Sequence, residues 1–212
     1  ILDINGRPID EMKLDWPVEN ISILNDESVF FFLNQGFEGN TLPEYHVIKT
    51  NLKLSPVKYL LKADRQEISE PNRFQKVNGD IFLSSPRIGE YTIYKITDEG
   101  LTRELQFDFK GCSINQNERQ NLNIRALNLD SDYAFLNYAG MGNKYTYFSY
   151  VYHDRYVGIR RDDSEKIKYL LKGKSENPYK NLLAFGSYTH VDGDYLYSFI
   201  NADVITDSTK IG

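Results

Sequence analysis

A short strand-turn-strand signature recurs four times along the 212-residue chain at nearly constant intervals. Each copy places Asp or Asn in a tight turn, followed by an aromatic or apolar segment; the turns begin at Asp26, Asn78, Asp130 and Asp192. The copies are 52, 52 and 62 residues apart, and periods of this size are typical of proteins built from repeated sheets. We therefore predict a repeat architecture in which the signature is the turn between the first two strands of each unit.

The composition favours strands over helices. Aromatic residues make up 14% of the chain, and 16 of them are tyrosines, which pack well on a pleated surface. A hydrophobic share of 41% is enough to form a core. No apolar run approaches the roughly 18 residues that span a bilayer, and no signal-peptide pattern is present. We predict an all-β fold without a transmembrane segment.

Charge and cysteine content argue against several classes of site. The net charge is −5, and Lys and Arg alternate with Asp and Glu. Nucleic-acid binding needs a basic footprint instead, so we expect no nucleic-acid partner. Cys112 is the one cysteine and can form neither an internal disulfide nor a cysteine-based metal site. No motif indicates a cofactor.

Short apolar runs between Gly, Pro, Asn and Asp clusters indicate strands. They group into four-stranded units of a β-propeller, about four blades in all, of which three are complete and a half lies at each end. The predicted bounds are a half-blade at 1–15, blades at 20–61, 73–110 and 122–171, and a half-blade at 183–205. Either the two halves pair and close a ring of four sheets, or the chain is a segment of a longer propeller.

Three stretches carry a resemblance to a known family: Leu2–Gly6, Tyr91–Gly111 and Asp192–Leu196. They resemble the six-bladed β-propellers of uncharacterised exported Bacteroidetes proteins, which are similar to NHL-repeat propellers. Lys110 departs from the family pattern, because it stands between Phe109 and Gly111. The resemblance implies export, often as a lipoprotein, and a ring of which about a third is missing from this chain. It implies no catalytic residues.

Arginine beside Tyr or His on a loop suits carboxylates or sugar hydroxyls, and tryptophan provides a stacking surface. On this basis the predicted ligand-binding residues are Trp16, Arg73, Arg87, His153, Arg155 and Arg160. Two alternatives stay open. The arginines could form solvated salt bridges at sheet edges, and Trp16 could anchor two blades to each other.

Other motifs are better explained by structure than by chemistry. The repeated Asp and Asn residues lack the ligand series of a calcium loop and fit hairpin turns. His46, His153 and His190 lie far apart in sequence, so we predict no metal site. Ser55 and Lys58 match Ser-x-x-Lys, but a strand follows, and we read the match as chance. Most of the aromatic side chains are expected to fill the core between blades.

The sequence thus predicts a non-catalytic, extracytoplasmic binding module on a propeller scaffold, with a small molecule, glycan or peptide as ligand. The alternative is a glycan-active hydrolase or lyase with acids and arginines meeting at the propeller axis. A third option is a structural piece that contacts the missing part of its own propeller, or another chain, through open strand edges.

Overall fold

The computed structural model describes residues 5–7, 18–25, 27–33, 44–63, 74–85, 87, 89–115, 117–118, 132–164, 166–172, 189–192 and 195–198, with the backbone alone at 155, 169–172, 189–192 and 196–198. Strands make up nearly all of its regular structure, which confirms the all-β prediction. The first sheet contains β1 (Val18–Asn25), β2 (Ser28–Leu33), β3 (Tyr45–Thr50) and β4 (Pro56–Lys62). The second contains β5 (Phe74–Val77), β6 (Asp80–Ser84), β7 (Thr92–Thr97) and β8 (Gly100–Gln106). The third contains β9 (Phe135–Met141), β10 (Tyr145–Tyr152), β11 (Asp154–Arg161) and β12 (Ile167–Lys172).

Each sheet is an antiparallel meander in which every strand pairs with the next one in sequence. A two-stranded hairpin follows, with β13 (Thr189–Asp192) and β14 (Tyr195–Ser198). The described part of the chain thus contains three four-stranded sheets and this hairpin. Nearly all of the predicted N-terminal half-blade, and the start of the predicted blade at 122–171, lie outside the described residues. The division of the whole chain into blades therefore stays a prediction.

The second signature forms the turn that its residues require. Asn78 has φ 52 and Gly79 has φ 89, and a two-residue hairpin turn of the type that matches strand twist needs positive φ at both positions. Asn and Gly adopt such angles most readily. This turn joins β5 to β6, and the first and fourth signatures likewise join β1 to β2 and β13 to β14.

The third signature lies only partly within the described residues. Asp132 and Tyr133 precede β9, and the tight turn between the first two described strands of the third sheet lies at Gly142–Lys144. The predicted second strand at 133–138 is therefore the first described strand, shifted to Phe135–Met141. The predicted first strand at 122–129 lies outside the described residues. Turns that are rich in Asp and Gly have similar sequences, whichever pair of strands they connect.

β8 ends earlier than its pattern predicts, at Gln106 instead of residue 109. Asp108 Oδ1 accepts a hydrogen bond from the Lys110 backbone N–H at 2.7 Å, and this bond turns the chain into the 3₁₀ turn Lys110–Cys112. The Phe109 ring then packs edge-on against Tyr91, with centroids 4.9 Å apart. The apolar alternation thus continues past the end of the strand, because the aromatic side chains remain in the core.

The core lies between successive sheets. One cluster joins Phe30, Phe32 and Val47 of the first sheet to the second sheet, whose buried members are Phe74, Ile81, Leu83 and Ile96. A second cluster joins the opposite face of the second sheet to the third, and its buried members are Val77, Phe82, Ile93, Ala139 and Phe148. The predicted role of the aromatic residues as packing between sheets agrees with these two clusters.

Candidate functional site

Hairpins alternate between the two ends of each sheet, and this places the candidate residues. One end carries the tight turns with residues 27, 78–79, 98–99 and 142–144, and we call it the turn end. The other carries residues 85, 87, 89–91, 107–115, 117–118 and 132–134 and the β10–β11 hairpin at His153, and we call it the loop end. Binding residues concentrate on such loops when a rigid scaffold holds them.

His153 is the exposed tip of the β10–β11 hairpin at the loop end. Its φ is 53, a left-handed value that is uncommon outside glycine, although His adopts it more often than most residues. Its ring lies over the neighbouring Tyr152 ring, with centroids 4.3 Å apart. A left-handed backbone conformation, combined with an exposed ring at the loop end, makes His153 a candidate functional residue.

Tyr152 connects this tip to the segment after β8. Its phenol hydrogen-bonds with the Cys112 thiol, and this bond raises the pKa of Tyr152 above the ordinary value. The Cys112 carbonyl accepts a hydrogen bond from the Ala134 N–H at 2.8 Å. Three segments that are distant in sequence therefore meet at one place.

Carboxylates border these rings. The Tyr133 phenol hydrogen-bonds with Glu118, which raises the pKa of Tyr133. The negative charge of Asp132 acts on both Tyr133 and Tyr152, so it lies close to both phenols. We call Cys112, Glu118, Asp132, Tyr133, Tyr152 and His153 the loop-end patch.

A local sequence pattern holds Glu118 in position. Asn115 Oδ1 accepts a hydrogen bond from the Glu118 N–H, and Glu118 Oε2 accepts one from the Asn115 N–H, each at 2.9 Å. This reciprocal pair is a capping box.

Aromatic rings close in sequence to Cys112 and Tyr152 pack against one another. Phe109 contacts Tyr150 at 4.9 Å, and Tyr150 stacks on Tyr156 at 4.7 Å with planes 9° apart. Tyr91, on the other side of Phe109, donates a hydrogen bond to the Ala134 carbonyl at 2.5 Å. Rings fixed in this way give a surface that loses little conformational entropy when a ligand binds.

Arg87 also lies at the loop end, between the first and second sheets. It pairs with Glu90 at 3.2 Å and donates two hydrogen bonds to the Lys62 carbonyl at the end of β4, one of them from Nε at 3.1 Å. Glu90 also accepts hydrogen bonds from Ser85 and Tyr94. Burial and the bond to Glu90 raise the pKa of Tyr94 to about 12. Arg87 therefore forms a salt bridge at a sheet edge, which was the alternative to ligand binding in the sequence analysis. Its role in binding stays a prediction.

Among the other predicted residues with described side chains, Arg160 does not lie beside His153. Arg160 lies near the turn end of β11, where its Nε donates to the Ser164 carbonyl at 3.1 Å. Seven residues of extended strand separate it from His153, about 23 Å. Arg155 follows His153 on β11, but its side chain is not described, and Trp16 and Arg73 lie outside the described residues. His153 is the predicted residue that lies in the loop-end patch. The other members of the patch were not predicted, because Asp132 has the sequence context of a hairpin turn and Cys112 is the single cysteine of the chain.

Among the described residues, no three His, Cys, Asp or Glu side chains are arranged to hold a metal ion. No helix in the same part of the chain is long and apolar enough to cross a bilayer. His46 is buried and stacks on Phe32. Lys58 of the Ser-x-x-Lys match lies in β4 and donates a hydrogen bond to the Glu99 carbonyl, so the match has no helical context.

Comparisons with known proteins agree with the architecture. Residues 2–194 match the sequence model of a family described as a six-bladed β-propeller. The crystal structure of a candidate exported protein from Bacteroides fragilis aligns with 98% of this chain at a TM-score of 0.71 and 14% identity. This identity establishes likeness of fold alone, and the chain spans 61% of the length of that structure. A search of curated proteins gave no match.

Proposed function

The chain belongs to the family of six-bladed β-propellers, and from this premise we propose that it acts as a non-catalytic binding module outside the cytoplasm. The proposed ligand is a glycan or peptide that binds at the loop-end patch. The observation that carries the proposal is the exposed His153 ring held in a left-handed turn against Tyr152, with carboxylates beside it. Aromatic faces and hydrogen-bonding carboxylates together suit a ligand that has both apolar faces and polar hydrogens.

The proposed location draws on the structural likeness to the candidate exported protein. We extend it to export in a Bacteroidetes bacterium, attachment as a lipoprotein, and kinship with NHL-repeat propellers. Fractionation of cells that express the parent gene, with detection of this region in the membrane or periplasm, supports the proposal. Detection in the cytoplasm alone contradicts it.

The binding proposal is tested by screening the chain on a printed oligosaccharide array and a peptide library. His153→Asn keeps a residue that tolerates the left-handed turn and removes the imidazole, while Tyr152→Leu removes its neighbouring ring. We expect each variant to bind the selected ligand at least about tenfold more weakly, a loss of about 1.4 kcal/mol. The control is Arg161→Ala at the turn end, where the side chain is 61% exposed and pairs with Asp163.

Equal binding by the His153 variant, the Tyr152 variant and the Arg161 control would place the ligand elsewhere and refute the patch. Circular dichroism and thermal melting show whether each variant is folded, so lost binding can be separated from lost structure.

A glycan-active hydrolase or lyase is the second candidate, because Glu118 and Asp132 bring two carboxylates to one patch. Paired carboxylates are the usual machinery for cleaving glycosidic bonds. Chromatography of the bound oligosaccharide after long incubation distinguishes the two functions. Shortened products that disappear in Glu118→Gln indicate an enzyme, and an intact oligosaccharide indicates a binding module.

A further inference from the structure

Tyr91 lies directly before β7, and its hydroxyl connects two segments of the loop end. It donates a hydrogen bond to the Ala134 carbonyl at 2.5 Å and accepts one from the Ile114 N–H at 3.3 Å. All three residues are buried, and buried backbone groups that lack a partner destabilise the folded state. One phenol therefore satisfies two buried backbone groups that lie far apart in sequence.

The two segments that Tyr91 connects both carry members of the loop-end patch. Segment 112–114 begins with one member of the patch, and segment 132–134 begins with two. The Ala134 N–H also donates a hydrogen bond to the Cys112 carbonyl at 2.8 Å. The two segments are therefore joined twice, once directly and once through the Tyr91 hydroxyl.

Tyr91 is itself held on several sides. Its carbonyl accepts a hydrogen bond from the Phe107 N–H at 2.8 Å, and its ring packs edge-on against Phe109. A Cβ added to Gly89, which has φ 76, would lie 3.0 Å from the Ile114 Cβ. The chain just before Tyr91 thus lies directly against the segment that its hydroxyl binds, and the phenol has little freedom to move.

The first sheet has a tyrosine at the equivalent position. Tyr91 precedes Ile93 by two residues and Tyr45 precedes Val47 by two, and Ile93 and Val47 both face the next sheet. The Tyr45 ring packs against Tyr59, with centroids 5.6 Å apart. An aromatic ring at this position thus recurs with the fold, whereas the two hydrogen bonds of the Tyr91 hydroxyl belong to the patch.

Packing by itself does not account for the Tyr91 hydroxyl. A phenylalanine ring would fill the same space, and a buried hydroxyl costs free energy unless it forms a hydrogen bond. Both of its bonds go to backbone groups of the segments that carry the patch. The hydroxyl therefore fixes how far apart these segments lie.

We propose that Tyr91 is the positioning residue of the loop-end patch. Its hydroxyl holds segments 112–114 and 132–134 in one arrangement before any ligand binds. A site that is already ordered binds more tightly, because fewer groups lose conformational freedom on binding. The effect on ligand affinity rests on the proposed function, whereas the arrangement of the two segments does not.

Hydrogen exchange in Tyr91→Phe tests this arrangement without a ligand, because the variant keeps the ring and removes the hydroxyl. The critical amide is that of Ala134, whose acceptor, the Cys112 carbonyl, is unchanged by the substitution. We expect it to exchange about fivefold faster, the effect of losing one typical hydrogen bond of about 1 kcal/mol. The half-buried Cys112 thiol should also react faster with iodoacetamide, while the amides of β6 keep their protection.

Tyr45→Phe and Tyr94→Phe are the matched controls, since each removes a hydroxyl that lies outside the patch. The Tyr94 hydroxyl donates to Glu90 instead, so we expect both controls to leave exchange at Ala134 unchanged. Unchanged exchange at Ala134 in Tyr91→Phe overturns the proposal. Equal loss of protection at Ala134 and throughout β6 also overturns it, because the hydroxyl would then support only the stability of the whole chain.

A ligand selected on the oligosaccharide array or in the peptide library separates this inference from the proposed function. We expect Tyr91→Phe to weaken binding about fivefold, although Tyr91 is buried, and Tyr94→Phe to leave binding unchanged. Unchanged affinity together with faster exchange at Ala134 overturns the role of Tyr91 in binding. A chain that binds no oligosaccharide or peptide refutes the proposed function, and exchange at Ala134 still shows whether Tyr91 positions the patch.

Discussion

At the level of single residues, the packing of Phe148 shows how one side chain can limit which residue occupies a neighbouring position. A Cβ added to Gly158 would lie 2.5 Å from Phe148 Cζ and 2.8 Å from Cε2. The ring, which is 3% exposed, belongs to the cluster between the second and third sheets. Glycine at 158 is therefore required for space, because the ring crosses the backbone of β11.

We predict that Gly158→Ala destabilises the chain by about 1–3 kcal/mol, the usual cost of overpacking a core. Urea unfolding measures the change. Phe148→Leu in the same chain makes room for the methyl group, so the loss in the double variant should be smaller than the sum of the two single losses.

Gly111→Ala is the control, since nothing lies within 4 Å of its added Cβ. A loss of stability at Gly111 equal to that at Gly158 would show that steric contact with Phe148 is not the cause.

At the level of elements, side chains from one sheet complete the hydrogen bonding of the next. Gln75 of β5 is buried, accepts a hydrogen bond from the Met141 N–H at 2.7 Å, and donates one to the Ala139 carbonyl at 3.1 Å. It thereby takes the place of a pairing strand beside β9. The buried amide is one reason why the second and third sheets have a unique alignment, because a shifted alignment would leave these groups unpaired.

The turn at Asp98 links the second sheet to the first in a pH-dependent way. Its carboxylate accepts hydrogen bonds from Lys49, Asn25 and Ser28. The bond from Lys49, the largest cause, holds the pKa of Asp98 below its ordinary value. A carboxyl whose pKa is lower in the folded state contributes stability above its unfolded pKa of about 4, and this stability is lost as the pH falls through the folded value.

We predict that Asp98→Asn lowers stability at neutral pH and that the difference from the unmodified chain shrinks as the pH falls below about 4 toward the lowered pKa of Asp98. Urea unfolding from about pH 7 to about pH 2 measures it. Asp163→Asn removes a pair with Arg161 in which the two side chains are 63% and 61% exposed, whereas the Lys49 partner of Asp98 is 12% exposed. Asp163→Asn should therefore change stability little. A difference for Asp98→Asn that stays constant with pH would contradict the ionic role.

At the level of the whole molecule, the second sheet is covered on both faces. Ile81 and Leu83 face the first sheet, while Phe82 and Ile93 face the third. Repeat proteins in which each unit contacts only its neighbours transmit a local loss of stability through those contacts. The first sheet should therefore depend on side chains of the second.

We predict that Leu83→Ala, at a fully buried position, destabilises the chain by about 2–5 kcal/mol and lowers exchange protection in β2 and β3 as well as in β6. Ile23→Ala, at a position 56% exposed in β1, is the control and should change protection little. Loss of protection confined to the second sheet would show that the sheets unfold independently.

Much of the architecture follows from local sequence. β3, β5 and β10 have the predicted bounds, because alternating apolar residues between turn-forming residues leave few other conformations. The strand order within each sheet follows from short connections, which bring consecutive strands side by side. In the third sheet, β9 to β12 correspond to four predicted strands, with bounds that differ by a few residues because the local pattern does not fix where a strand ends.

Two of the predicted binding residues lie far apart in the structure. His153 and Arg160 are close in sequence but lie toward opposite ends of β11, since an extended strand carries them apart. Cys112 and Tyr152, 40 residues apart, come into contact because the second and third sheets pack face to face.

The fourfold signature and its aromatic segments thus determined, by themselves, that this chain folds into successive antiparallel sheets, because backbone pairing and side-chain alternation act over a few residues. Only the tertiary structure decided which loops converge on His153. That convergence depends on how whole sheets stack, and stacking is set by buried surfaces assembled from residues far apart in the chain.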